Sequence, residues 1–182
     1  MNNNQTEFYK LQELVRGKNI NPETLLATDY LNHFNEIHML LGMIAEMPDC
    51  LEDILGWDAI SYQEHFTISG FQDKELAIQA YEMSPKKFKV PFDNCISKMN
   101  DLLLTTISTV EADLNEDKMD KINITISEYN PKMEAMIKEF SSIINGLDIT
   151  TQQNVIDDFF KDENLDNMDS SSAQDDIDSL FD

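Results

Sequence analysis

The chain has 182 residues, 41% of them hydrophobic, and carries a formal net charge of −22 with a pI near 4.2. The apolar fraction suffices for a real core, while the charge excludes nucleic acid and anionic lipid, both of which are held by Lys and Arg against phosphate. Two cysteines cannot build a disulfide framework, no run approaches the ~20 apolar residues of a membrane span, and MNNNQTEFYK lacks a charged-then-apolar leader, so a reducing cytoplasm is expected.

Five Gly and five Pro are few for a fold rich in tight turns. The expected fold class is therefore all-α: a helical bundle with short packed helices and a disordered acidic C-terminal tail. The expected organisation is a short N-terminal helix in residues 1–20, a bundle domain over 21–147 and the tail over 148–182. In chain order, Phe8, Leu11, Leu14 and Val15 share one face of a helix over 6–16, which Gly17 ends. Asn21 before Pro22 reads as the start of the next helix, because Asn caps and Pro fits the first helical turn. This helix is expected to run to Pro48, with Tyr30, Phe34, Ile37, Leu41 and Ile44 stepping by threes and fours. A second row, Leu31, Met39, Leu40, Met43 and Met47, widens the apolar face and predicts burial on more than one side.

Residues 48–91 are aromatic-rich. Short helices are expected in PDCLEDILGW, YQEHFTISGF and DKELAIQAYEM, the last with Leu76, Ala77, Ala80 and Tyr81 inward. They are expected to pack across the ends of the long helices, with Lys86, Lys87 and Lys89 as a small basic cluster in the last turn. From Pro91 a long helix is predicted, carrying Phe92, Ile96, Met99, Leu103, Ile107, Val110 and Leu114 inward. After the acidic turn EADLNED, Ile122, Ile126, Tyr129, Met133, Ile137, Phe140 and Ile144 continue at helical spacing to Asn145 and Gly146, a typical helix stop. Pro131 lies inside this helix and should kink it. KINITIS alternates like a strand, but the longer three-four pattern runs through it and predicts helix.

After Gly146 the composition changes. Residues 148–182 hold 11 of the 35 acidic residues and one of the 13 basic ones, a net of −10, against −12 for residues 1–147. This reads as a disordered tail interrupted by two apolar clusters, 155–160 and 177–181. The clusters share one phrase. Gln153, Ile156, Asp157 and Phe160 match Gln174, Ile177, Asp178 and Phe181 without gaps, and Phe159 faces Leu180. In a helix Ile177 shares a face with Leu180 and Phe181, and Thr151 or Ser172 can cap each copy. Each copy is then an amphipathic helix of about two turns, too short to be stable alone and suited to folding in a partner's groove. These ten residues are the candidate partner-binding set. A basic patch on a partner, or a groove that accepts an acidic peptide, would suit the charge.

The string AQDDIDSLF resembles the SQ-x-x-ID-x-L-L peptide of bacterial flagellar switch proteins, and the chemotaxis phosphatase ends in a related acidic-apolar peptide. The resemblance implies that the tail binds a CheY-type receiver domain or a flagellar switch component. Ala173 stands where the switch peptide has Ser, and the body lacks the phosphatase's Asp-, Phe- and Gln-containing run before Thr-Gly-Gln, so no dephosphorylating activity is implied. The body resembles an uncharacterised alphaproteobacterial family, which implies nothing about activity.

Other chemistry is sparse. His33 stands four residues from Asp29 and three from Glu36, a spacing that could hold a metal on one helical face. A bridged site needs matching ligands from a facing helix; Asp113, Glu128 and Glu134 are available, without a second Glu-x-x-His, so no metal is expected. HMLLG resembles the His-x-x-Lys-Gly of phosphotransfer domains, but Leu41 stands where the Lys belongs and apolar residues surround His38. Cys50 and Cys95 read as buried small apolar residues. The expected function is a non-enzymatic, cytoplasmic interaction or adaptor protein with no cofactor, binding a protein partner or a second copy of itself as a homodimer. The alternatives are an auxiliary phosphatase or phosphotransfer protein, and a structural helical protein with a solubilising tail.

Overall fold

A computed structural model describes residues 3–147. The fold is all-α, with seven helices and no strand among those residues beyond one isolated bridge between Ile20 and Ala27. The helices are α1 (Asn3–Leu14), α2 (Leu31–Met43), α3 (Leu51–Leu55), α4 (Tyr62–Ile68), α5 (Lys74–Glu82), α6 (Lys86–Asn115) and α7 (Met119–Ile144). Short 3-10 turns at Thr28–Tyr30 and Pro48–Cys50 lead into α2 and α3.

The long hairpin of α6 and α7 is the frame. Phe92 near the start of α6 stacks on Phe140 near the end of α7, with centroids 4.6 Å apart, so the two helices run antiparallel. Helix α2 also runs against α7, since Phe34 meets Phe140 while His38, one turn on, meets Tyr129. The expected inward rows are largely those found buried: Tyr30, Phe34, Ile37, Leu41 and Ile44 on one side, Phe92, Met99, Leu103 and Val110 on the next, Ile122, Tyr129, Met133 and Phe140 on the third. KINITIS is helical, and α7 continues through Pro131. It ends as predicted at Asn145: Gly146 takes φ +71°, and the amides of Gly146 and Leu147 donate to the carbonyls of Ile143 and Ser142, closing a left-handed cap. Helix α4 opens with a capping box between Ser61 and Glu64, and its Tyr62 and Phe66 join Tyr30, Phe92 and Phe140 in one aromatic core.

Four expectations fail. Helix α2 starts at Leu31, not Pro22. The Asn21 side chain does accept from the Glu23 and Thr24 amides, but it caps a turn, and Leu25 then takes φ +59° and cannot continue a helix. Residues Thr24 to Ala27 are wholly buried, so their backbone groups need internal partners. Hydroxyls supply them: Ser84 donates to the Thr24 carbonyl and Tyr62 accepts from the Ala27 amide. Helix α6 begins at Lys86, so Pro91 lies inside it and the lysines lie at its start, where the helix dipole disfavours cations. Lys89 is held by Glu82 and by the face of Tyr81, and Lys87 reaches Glu23 at 3.8 Å. Leu14 is exposed, because α1 stops there and only Leu11 and Val15 turn inward. The second row of α2 is not buried on another side: Met39 is 58% exposed and Met47 52%. Among the described residues, no helix covers Met39 and Met47 fully.

Candidate functional site

Both copies of the tail phrase lie outside the described residues. Within them, the feature that fits docking is the flank of α2 left bare by the second row. His33, Ile37 and Leu40 form a stripe along two turns of α2, and Trp57 and Ile60, in the connection between α3 and α4, form the opposite wall. The groove between them has a volume of about 610 Å³. Met39 stands at its edge, and Ile68, at the end of α4, is 75% exposed there. Glu36, Asp53 and Asp58 complete the lining.

Local chemistry fixes the Trp57 wall. Gly56 ends α3, and the Trp57 indole N–H donates to the His33 carbonyl at 3.3 Å. The His33 ring is sandwiched between Trp57 at 4.9 Å and Tyr30 at 5.9 Å, both nearly parallel to it. Tyr30 in turn donates through its hydroxyl to the Ile60 carbonyl at 2.6 Å, so both walls of the groove are tied to the aromatic core. Burial, and then the neighbouring His65, lower the His33 pKa to about 4, against the opposing pull of a hydrogen bond to the Asp58 backbone. His33 Nε2 is buried without a hydrogen-bond partner.

The His33 titration predicts a pH effect. The folded pKa is depressed, so the unfolded chain takes up the proton first as pH falls. The associated stability is complete above about pH 6.5 and is lost as pH falls to about 4. Discounted for partial exposure, it is worth about 1–2 kcal/mol, or roughly 3–8 °C of melting temperature. His33→Phe keeps the stack and removes the titration. The wild type is expected to lose that much against the variant between pH 7 and pH 4 in parallel thermal melts; a gap that stays constant with pH would show that His33 does not titrate differently on folding.

The remaining candidates resolve into structural roles. Asp29 does not face a metal with His33 but pairs with His65 Nε2 at 3.1 Å. Among the described residues no group of three His, Cys, Asp or Glu side chains is placed to hold a metal ion. His38 Nδ1 lies 3.3 Å from the Tyr129 hydroxyl, and burial lowers its pKa against the opposing charge of Glu134. An anionic neighbour is the wrong partner for a phosphorylated ring. Cys50 and Cys95 are buried and unpaired, and burial pushes the Cys95 thiol far up, away from a reactive thiolate. A second hollow of about 430 Å³, lined by Lys18, Asn19, Gln72 and Asp73, is occupied along one side by the Lys18–Asp73 ion pair. No described helix is long and apolar enough to cross a membrane.

The periodicity of α2 did not reveal the groove, but the sequence held a signal for it. Between Lys18 and Lys74 there is no Lys or Arg, while ten Asp and Glu residues fall in the same stretch. Compared with known protein families, with curated proteins and with solved structures, the chain gives no match.

Proposed function

We propose that the protein is a non-enzymatic adaptor, with a helical body that docks a protein segment in the groove at Trp57 and an acidic tail whose two short phrases engage another partner. The observation that carries the reading is the pair of large, exposed side chains, Met39 and Ile68, at the edge of a groove walled by Trp57. Exposed apolar groups collected around an indole are characteristic of protein-docking sites. For the tail, the repeated Gln-x-x-Ile-Asp-x-apolar-Phe phrase and its likeness to the switch peptide support a CheY-type receiver or a flagellar switch component as partner, hence a place in chemotaxis or motility signalling. The buried, unpaired Cys50 and Cys95 support a cytoplasmic setting.

The tail reading is tested with the full chain and a purified receiver domain. Buried apolar anchors dominate short-helix binding, each contributing roughly 1.5–3 kcal/mol. Ile177→Ala and Phe181→Ala are therefore expected to weaken binding about tenfold or more each, while Ser179→Ala changes it little. Deleting residues 161–182 should abolish the second copy's contribution and leave the melting temperature where it was. Equal losses from all three substitutions would count against helix-in-groove recognition, and a large drop in melting temperature on deletion would make the tail structural.

A further inference from the structure

The groove at Trp57 draws an acidic residue from three of the elements that build it. Glu36 comes from α2, Asp53 from α3 and Asp58 from the connection to α4. None of the 55 residues from Asn19 to Asp73, which include all of these elements, is Lys or Arg. We infer that the groove takes a Lys- and Arg-rich amphipathic helix, its apolar face on Trp57, Met39 and Ile68 and its cations against Glu36, Asp53 and Asp58. This rests on the reading of the groove as a protein-docking site and names its partner's chemistry.

Two observations favour this occupant over others. The chain's own tail carries a net −10 and a second copy of the body a net −12, so both bring like charge to an anionic rim. The groove-facing line of His33, Glu36 and Leu40 repeats at three and four residues over two turns, roughly 10 Å of α2, which matches the contact length of a short helix laid alongside.

The test titrates the full-length protein with three synthetic peptides. All share one apolar face, with Leu and Phe at i, i+3, i+4 and i+7, and differ only in a polar face of Lys, Gln or Glu. Trp57 is the single tryptophan of the chain, so its emission reports the groove and not the tail. The Lys peptide is expected to blue-shift Trp57 and to bind about tenfold or more tightly than the Gln peptide near 0.15 M salt, a preference that shrinks toward ~1 M salt as the screening length falls. The Glu peptide should not bind. Glu36→Gln with Asp53→Asn and Asp58→Asn should bring the Lys peptide down to the level of the Gln peptide. Ile68→Ala, at a side chain too exposed to matter for folding, should weaken both by roughly threefold or more.

Equal binding of the Lys and Gln peptides would overturn the cationic partner and leave the groove as a docking site. Lys-peptide binding that leaves Trp57 emission unchanged, or that survives the triple substitution, would mean capture by the acidic tail and would overturn the inference. No response of Trp57 to any peptide would remove the groove reading as well. A chain that is dimeric without peptide, with Trp57 already blue-shifted, would assign the groove to a second copy and overturn the inference.

Discussion

Phe140→Ala is expected to cost about 3–5 kcal/mol of stability, the range for truncating a buried aromatic ring, and to lower the melting temperature by roughly 10–20 °C. The size follows from its position. Phe140 is fully buried, stacks on Phe92 of α6 at 4.6 Å, and meets Phe34 of α2 and Tyr30 at 5.9 and 6.1 Å. It is the ring at which the α6–α7 hairpin meets α2 and the entrance to α2. Long helices held along their length cannot collapse into the space that one ring leaves, so the cavity term adds to the lost transfer energy. Ile124→Ala, 58% exposed on the same helix, is the control and should stay within about 0.5 kcal/mol. Chemical denaturation measures both, as a shift in midpoint at constant slope. A loss below about 1.5 kcal/mol at Phe140 would mean that the aromatic cluster is not the centre of the core.

That cluster shows how much was legible in the sequence. Tyr30, Phe34, Ile37, Leu41 and Ile44 were readable because a single buried row has the period of the helix that carries it. The row of Met39 and Met47 obeyed the same period, yet period cannot say which faces of a helix its neighbours cover, and none of them reaches these two side chains fully. Pro91 misled for a different reason. Proline at a helix start is a sound local rule, but Phe88, Phe92, Cys95 and Met99 already form one buried row that crosses it. The tail phrase is the converse case, a pattern visible only in the sequence. The groove at Trp57 lay between these extremes: its charge was written in a missing residue type, while its shape depended on a connection, residues 56–60, with no periodicity to read.

The least legible segment, residues 21–27, gives the second large effect. Thr24→Val should cost about 2–4 kcal/mol, although the two side chains have nearly the same shape. The Thr24 hydroxyl donates to the Ile144 carbonyl at 2.7 Å and accepts from the Leu26 amide at 3.3 Å. Ile144 is the last residue of α7, so its carbonyl has no partner within the helix and depends on this hydroxyl, 120 residues away in sequence. Valine leaves both backbone groups buried and unpaired, and each such group costs about 1–3 kcal/mol. A water is a poor substitute, because Thr24 is fully buried against Gly146, where even a Cβ would stand 3.4 Å from the Thr24 methyl. Thr24→Ser restores the hydroxyl and should recover all but about 1 kcal/mol, the worth of the missing methyl. Amide exchange at Leu26 separates the polar account from simple loosening: it should speed up in the valine variant by more than global stability requires, while in the serine variant it follows global stability. Equal stability of the valine and serine variants would show that packing alone, and not the hydroxyl, holds this segment against α7.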